Sequence, residues 1–276
     1  MFGNKSAVRE GGAFQYAGFS LPGGKGQRNF PPVSGLRRVF VAESSIGEEG
    51  ALRLSPEESR HLAKVLRAER GTVVEALDGR GTVWRAEVAD TNPREVTLRA
   101  LEETRVEPPA PSYELGVALP KGGRMDDLAR QLVELGVSRL SPLLTERTEA
   151  GKAAERGAAK VEKWRRIAVE ACKQSGNPWL PEIFEPRPFI DWLKALPAGG
   201  ARWLGSPGAA PPGFCGEGAE VANVALAIGP EGGFTAGEAE QAAQAGFLPA
   251  GLGPYVLRVE TAAVAALAVA RARFRP

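Results

Sequence analysis

Histidine is almost missing from this sequence: His61 is the single one in 276 residues. A zinc centre built on imidazoles, or a Ser-His-Asp triad, has little to work with, and no metal is expected. Cysteine is nearly as scarce. Cys172 and Cys215 lie far apart with no CxxC partner, which fits reduced thiols of a cytoplasmic protein better than a disulfide or a metal site. No run of 18 or more apolar residues exists to span a membrane, and no apolar segment follows a basic start as a secretory signal would require. A strong charge of one sign is lacking too. The net charge is +2, and residues 1–36 hold Lys5, Arg9, Lys25 and Arg28 against Glu10 alone. With those set aside, the 35 basic and 33 acidic residues of the chain leave 31 against 32. A nucleic-acid partner must therefore be held by a local patch and not by bulk charge. There is no repeat at a fixed period, and neither a Walker A loop nor a GxGxxG fingerprint.

What is present is ordinary in bulk: 43% hydrophobic and 25% charged residues, enough for two modest domains or one large one. Residues 1–36 are rich in Gly, Pro and Ser without sustained periodicity, and are expected to be a disordered extension, a vector remnant or an over-called start. From Arg37 to about residue 108 the pattern predicts a small β domain. RRVFVAE, TVVEAL, TVWRAEVAD and EVTLRALEE alternate or are β-branched, and DGRG at 78–81 signals a hairpin. One helix interrupts them. Ser55-Pro56-Glu57-Glu58 reads as a capping box with proline at the first helical position, and Gly71 as the stop. VEPPAPS at 106–112 reads as a linker. From Tyr113 to the C-terminus strand-like and helix-like segments alternate, which predicts an α/β domain with a parallel sheet covered by helices on both faces.

Four segments could carry chemistry. In RHLAKVLR, helical spacing places Arg60, Lys64 and Arg67 on one face with His61 at its edge, and Leu62, Val65 and Leu66 on the face that would dock on the β domain. This is either a phosphate-contacting surface or a solvated amphipathic face. LPKGGRMDD puts Lys121, Gly122, Gly123 and Arg124 between a strand and a helix, where parallel sheets bind ligands, although a βα turn with exposed charges would look the same. In AIGPEGGFTAGEAEQ, Thr235 and Glu238 form a capping box that starts a helix without any ligand. Capping leaves Gly229-Pro230-Glu231-Gly232-Gly233 unexplained, and its backbone groups could hold the polar edge of an adenine or ribose. GLGPYVLRVETAA again sets glycines after a short strand, then Arg258 and Glu260 before a helix.

RHLAKVLR, LPKGGRMDDLARQLVELGV, KVEKWRRIAVEACKQSG, AIGPEGGFT and LGPYVLRVETAA, in this order, resemble the RsmE family of bacterial ribosomal RNA uracil-N3 methyltransferases, members of the SPOUT (trefoil-knotted) superfamily. The likeness covers nearly all of the chain from residue 37, and the last two motifs together are quite specific. It implies a PUA-like RNA-binding β-barrel domain at 37–108 and a SPOUT methyltransferase domain at 113–276, whose C-terminal segment threads a loop as a knot. It implies a homodimer acting on a uridine of 16S ribosomal RNA or the small ribosomal subunit, with the cofactor near the subunit interface. S-adenosylmethionine (SAM) would lie against Gly229, Pro230, Glu231, Gly232, Leu252, Gly253, Leu257, Arg258, Thr261 and Ala262. RNA would contact Arg60, His61, Lys64, Arg67, Lys121 and Arg124, and Arg258 or Arg124 would stabilise negative charge on the uracil carbonyls.

The chain departs from that pattern at three places: Gly123 stands for an acid, Gln131 for a lysine and Asn177 for an arginine. Two further readings stay open, a knotted methyltransferase for another RNA and a non-catalytic RNA-binding or ribosome-assembly factor. The intact GPEGG and LRVETAA loops argue against the second.

Overall fold

A computed structural model describes residues 37–42, 46–47, 50–120, 123–148, 150–211 and 221–274, with side chains left out at 150–159. The extension 1–36, Cys215 and the pair Lys121-Gly122 lie outside the described residues.

Strands β1 (Arg37–Phe40), β2 (Ala51–Arg53), β3 (Val73–Leu77), β4 (Thr82–Asp90) and β5 (Thr97–Arg105) form one sheet in the order β1-β3-β4-β5-β2. Only β1 and β3 run parallel; the other neighbours are antiparallel. Irregularities in the β4–β5 register at Arg85/Ala86 and Val88/Asp90 curl the sheet, as bulges do. Alternate residues of β3 and β4, among them Val74, Ala76, Trp84, Ala86 and Val88, point into one apolar core. The four longer strands are those that alternation predicts. The three-residue β2 has too few positions to show a period.

Between β2 and β3 the chain forms α1 (Pro56–Arg60) and then a π-helical turn, His61–Val65. The Ser55 hydroxyl caps α1 by accepting the Glu58 amide at 3.2 Å, but the other half of the expected capping box is absent. The Glu58 carboxylate instead accepts the Phe40 amide at 3.2 Å. The π turn widens the winding (Leu66 N donates to His61 O at 3.0 Å), and Arg67 ends it with φ 48°. Phase from a regular helix therefore fails here. Leu62 is buried and Leu66 partly so, but Val65, expected to dock on the sheet, is 67% exposed.

The second sheet comprises β6 (Ser112–Ala118), β7 (Arg139–Leu144), β8 (Glu182–Ile183), β9 (Arg187–Pro188), β10 (Ala201–Gly205), β11 (Asn223–Ile228) and β12 (Leu248–Ala250). The order is β12-β10-β11-β6-β7-β8, with β9 also on β7, and every pairing is parallel. Helices α2 (Met125–Glu134), α3 (Ala150–Ser175) and α6 (Val259–Arg273) pack on the face that carries Leu115, Val117, Leu226 and Ile228. Helices α4 (Phe189–Ala195) and α5 (Ala236–Gln244) cover the other, with Ala225 and Ala227 beneath them. Small residues there make room for aromatics: a Cβ on Gly116 would stand 2.8 Å from the Trp192 ring.

Just past β12 the chain presses against the β10–β11 connection. Gly251 N donates to Ala210 O at 2.9 Å, and a Cβ on Gly251 would fall 1.9 Å from Ala209 O. Only glycine fits that crossing.

Candidate functional site

Three strand ends build the site. β10, β11 and β12 are parallel neighbours, so the loops after them rise at the same edge of the sheet, where α/β proteins place ligands. The loop after β11 is held by its own residues. Gly233, at φ 72°, donates to Pro230 O at 2.8 Å and closes a tight turn. A side chain on Gly229 would meet the Phe234 ring at 3.0 Å, and that ring stacks on Phe189 with centroids 4.7 Å apart. Thr235 and Glu238 then form the predicted capping box, at 3.2 Å and 2.8 Å. The buried Glu238 has a second duty that capping did not reveal: its other oxygen accepts the Glu146 amide at 2.9 Å. Arg147, beside it, donates to the Gly232 carbonyl. The turn after β7 is thereby tied to the Gly-Pro-Glu-Gly-Gly loop.

The loop after β12 ends at Arg258, which occupies the N-cap of α6 in an extended conformation (φ −65°, ψ 155°). Between the loops lies a narrow cleft of about 100 Å³. Its walls are Gly229, Pro230, Glu231 and Gly233 on one side and Leu252, Gly253, Tyr255, Val256 and Leu257 on the other, with Ile228, Val259 and Ala262 beneath. Gly205, Ser206 and Pro207, after β10, complete it. Seven of the ten residues predicted to hold a cofactor line this cleft. The other three do not: the Gly232 carbonyl is engaged by Arg147, Arg258 is exposed at the helix start, and Thr261 is exposed one turn along α6. The Gly205–Pro207 segment was not foreseen; GSPG after an apolar run was its only signal.

Arg124 forms an ion pair with Glu260 at 3.3 Å, joining the loop after β6 to the first turn of α6. No hydrogen bond or ion pair engages the Arg258 side chain among the described residues, so its cation is the less committed of the two. Gly123 has φ 77° with open space around it, so glycine there serves the backbone. Gln131 is exposed on α2, whereas Asn177 is structural, its amide donating to Val133 O at 3.1 Å and its carbonyl accepting Trp179 N at 3.0 Å.

On the other sheet, Arg60, Lys64 and Arg67 are exposed and His61 is half-buried. Arg67 belongs to the end of the π turn, not to a helical face shared with the other two. Among the described residues no group of three or more His, Cys, Asp and Glu could hold a metal ion. A larger cavity of about 700 Å³ sits at the opposite, amino-terminal ends of β6 and β7. None of the glycine loops that follow β10, β11 and β12 lines it.

A parallel sheet bearing a glycine-walled cleft at its carboxyl edge, joined to a curled antiparallel sheet with a basic turn, defines an α/β ligand-binding protein with an accessory β domain. The pattern described as the RNA methyltransferase domain matches residues 107–271, and that of the RNA methyltransferase PUA domain matches residues 54–101. The chain belongs to this RNA methyltransferase family. It is 35% identical over 245 residues to the ribosomal RNA small subunit methyltransferase E of Synechocystis, covering 86% of this chain and 77% of that one. The structure of the same enzyme from Neisseria gonorrhoeae, solved with S-adenosyl methionine, matches with a TM-score of 0.75 at 28% identity over 87% of this chain and 98% of that one. A Legionella pneumophila methyltransferase solved with SAM matches with a TM-score of 0.71 at 32% identity, over 86% and 98%.

Proposed function

We propose that this protein is a SAM-dependent methyltransferase that modifies N3 of a uridine in small-subunit (16S) ribosomal RNA. The observation that carries the reading is the convergence of the loops after β10, β11 and β12 on one cleft, in a chain whose relatives bind SAM and act on small-subunit rRNA. The cleft fits such a group. Backbone-rich glycine walls offer polar atoms to an adenine edge, and Ile228, Leu252, Leu257, Val259 and Ala262 supply apolar contact for its faces. The cleft is open at its rim, where Tyr255 and Val256 are 81% and 80% exposed.

SAM brings an activated methyl group, and the protein supplies alignment and electrostatics. Uracil N3 carries a proton that must pass to solvent water, and charge then spreads to the neighbouring carbonyls. Arg258, at the N-terminus of α6, stabilises that charge in this reading, with the helix dipole adding to its field. Arg124, held by Glu260, is the second cation. Arg60, His61, Lys64 and Arg67 form the RNA-holding turn of a PUA-like domain at 37–108, and 113–276 forms the methyltransferase domain behind an extension at 1–36. The Gly251 crossing is where the C-terminal segment threads as a knot. The chain acts as a homodimer in the cytoplasm; exposed Tyr255 and Val256, and Leu248 on edge strand β12, support a partner surface beside the cleft. No helix among the described residues is long and apolar enough to cross a membrane.

Calorimetric titration with SAM tests the reading. One saturable site per chain, abolished by bulk in the cleft such as Ala262→Leu, is expected; no measurable binding would overturn it.

A further inference from the structure

The two sheets meet along a seam that is chemically specific. Lys173, near the end of α3, is a buried lysine with 7% side-chain exposure. Its ammonium lies 2.7 Å from Glu58 of α1 and 2.8 Å from Glu170 of its own helix. Glu58 is itself buried, and its second oxygen accepts the Phe40 amide at 3.2 Å. Beside this pair, Arg38 of β1 bonds Glu75 at 2.7 Å and donates to the carbonyls of Lys173 and Gln174 at 3.1 Å each, satisfying the end of α3. The backbones also join: Gly81 N donates to Pro178 O at 3.0 Å, and Leu180 N to Gly79 O at 2.9 Å.

A buried ion pair is seldom the most stabilising filling of a site, since an apolar pair of similar volume does as well or better. What it adds is direction, because an ammonium shared by two carboxylates has one good position. Glu58 lies two and three residues before Arg60 and His61, so whatever fixes Glu58 fixes the start of the basic turn.

We propose that Lys173 is a positioning residue for a structured RNA substrate. Through Glu58 it locks the Arg60–Arg67 turn to α3, so that an RNA held on the turn presents its target base at the cleft of the other sheet. The substrate class this implies is a folded RNA long enough to touch both domains at once, not a free nucleotide or a short single strand. The inference rests on the functional reading above.

The test compares Lys173→Met with Lys173→Arg, which keeps the cation. For Lys173→Met the expected result is SAM affinity within about twofold of the parent and a KM for rRNA raised about tenfold or more, with kcat changed far less. Lys173→Arg should recover most of the loss. An unchanged KM, or SAM affinity falling in step with turnover, would overturn the proposal. Should Lys173→Met fold poorly, Glu58→Leu with Lys173→Met fills the seam with apolar groups and must show the same rise in KM. If the parent chain neither binds SAM nor transfers methyl, the functional reading fails on its own account. Small-angle scattering then reads the seam directly: the profile of the double variant departs from the parent if Lys173 sets the arrangement of the two domains, and superimposes on it if not.

Discussion

The Glu238 carboxylate accepts the amide of Glu146 at 2.9 Å across 92 residues of sequence while its other oxygen caps the helix that Thr235 begins. One buried side chain thus holds both the start of α5 and the turn after β7 against the Gly229–Gly233 loop. Glu238→Gln keeps the shape but turns an amide NH2 toward one of the two backbone donors. Leaving a buried donor unpaired costs about 1–3 kcal/mol. Thermal or urea unfolding should register that loss, and SAM affinity should fall severalfold because the loop loses its brace.

Arg258 separates binding from chemistry. Its side chain does not line the cleft, so Arg258→Ala should leave SAM affinity within a few-fold, whereas single-turnover methyl transfer should slow about 100- to 1000-fold, as when one preorganised charge-stabilising donor is lost. Transfer at the parental rate would remove Arg258 from this role.

The basic turn should act through phosphates. Replacing Arg60, Lys64 and Arg67 together by Ala is expected to weaken RNA binding across sequences and to reduce the slope of log K against log salt by about 2–3. Filter binding at several salt concentrations measures this. A loss of affinity with an unchanged slope would point to base contacts instead.

Three buried groups predict how stability ends at high pH. Burial pushes the Cys172 thiol from 9.0 up to about 12. Burial also raises Tyr113, against the lowering effect of Arg271. For Lys173 burial alone would lower the value, but bonds to Glu170 and Glu58 outweigh it and hold the ammonium above the ordinary lysine range. All three are raised in the folded state, so their contributions are complete below the unfolded values and fade as pH climbs through the folded ones. From about pH 9 to 12 the Cys172 thiol, ionising only in the unfolded chain, removes on the order of 1.4 kcal/mol per pH unit, and Tyr113 and Lys173 add to the fall in the same direction at higher pH. Urea midpoints should be flat from these groups near neutrality and fall steeply above pH 9, with Cys172→Ala flattening the earliest part of the fall.

Much of this molecule was legible beforehand because its signals are local. Alternation located β3, β4 and β5, the βα rhythm after Tyr113 foretold an all-parallel sheet, and Thr235 with Glu238 marked a helix start to the residue. Where the outcome depends on distant partners, local signals failed. Ser55 and Glu58 have the spacing of a capping box, yet a buried lysine 115 residues away and the Phe40 amide claim the glutamate. The RHLAKVLR face was phased for an α-helix, and a π turn shifted it, leaving Val65 in solvent. The glycines of DGRG read as hairpin chemistry, but Gly81 is also pressed by Trp179, whose ring would stand 2.4 Å from an added Cβ. In the cleft the loops after β11 and β12 were visible from their glycines, whereas Gly205–Pro207 became part of it only through strand order.

The central claim is tested most directly by the modified nucleoside itself. Small-subunit rRNA from cells with and without the gene is digested to nucleosides and analysed by mass spectrometry for 3-methyluridine. The account predicts that 3-methyluridine is present with the gene, disappears without it, and returns when the parent chain, but not the Arg258→Ala variant, is supplied. An rRNA nucleoside profile unchanged by loss of the gene would contradict it.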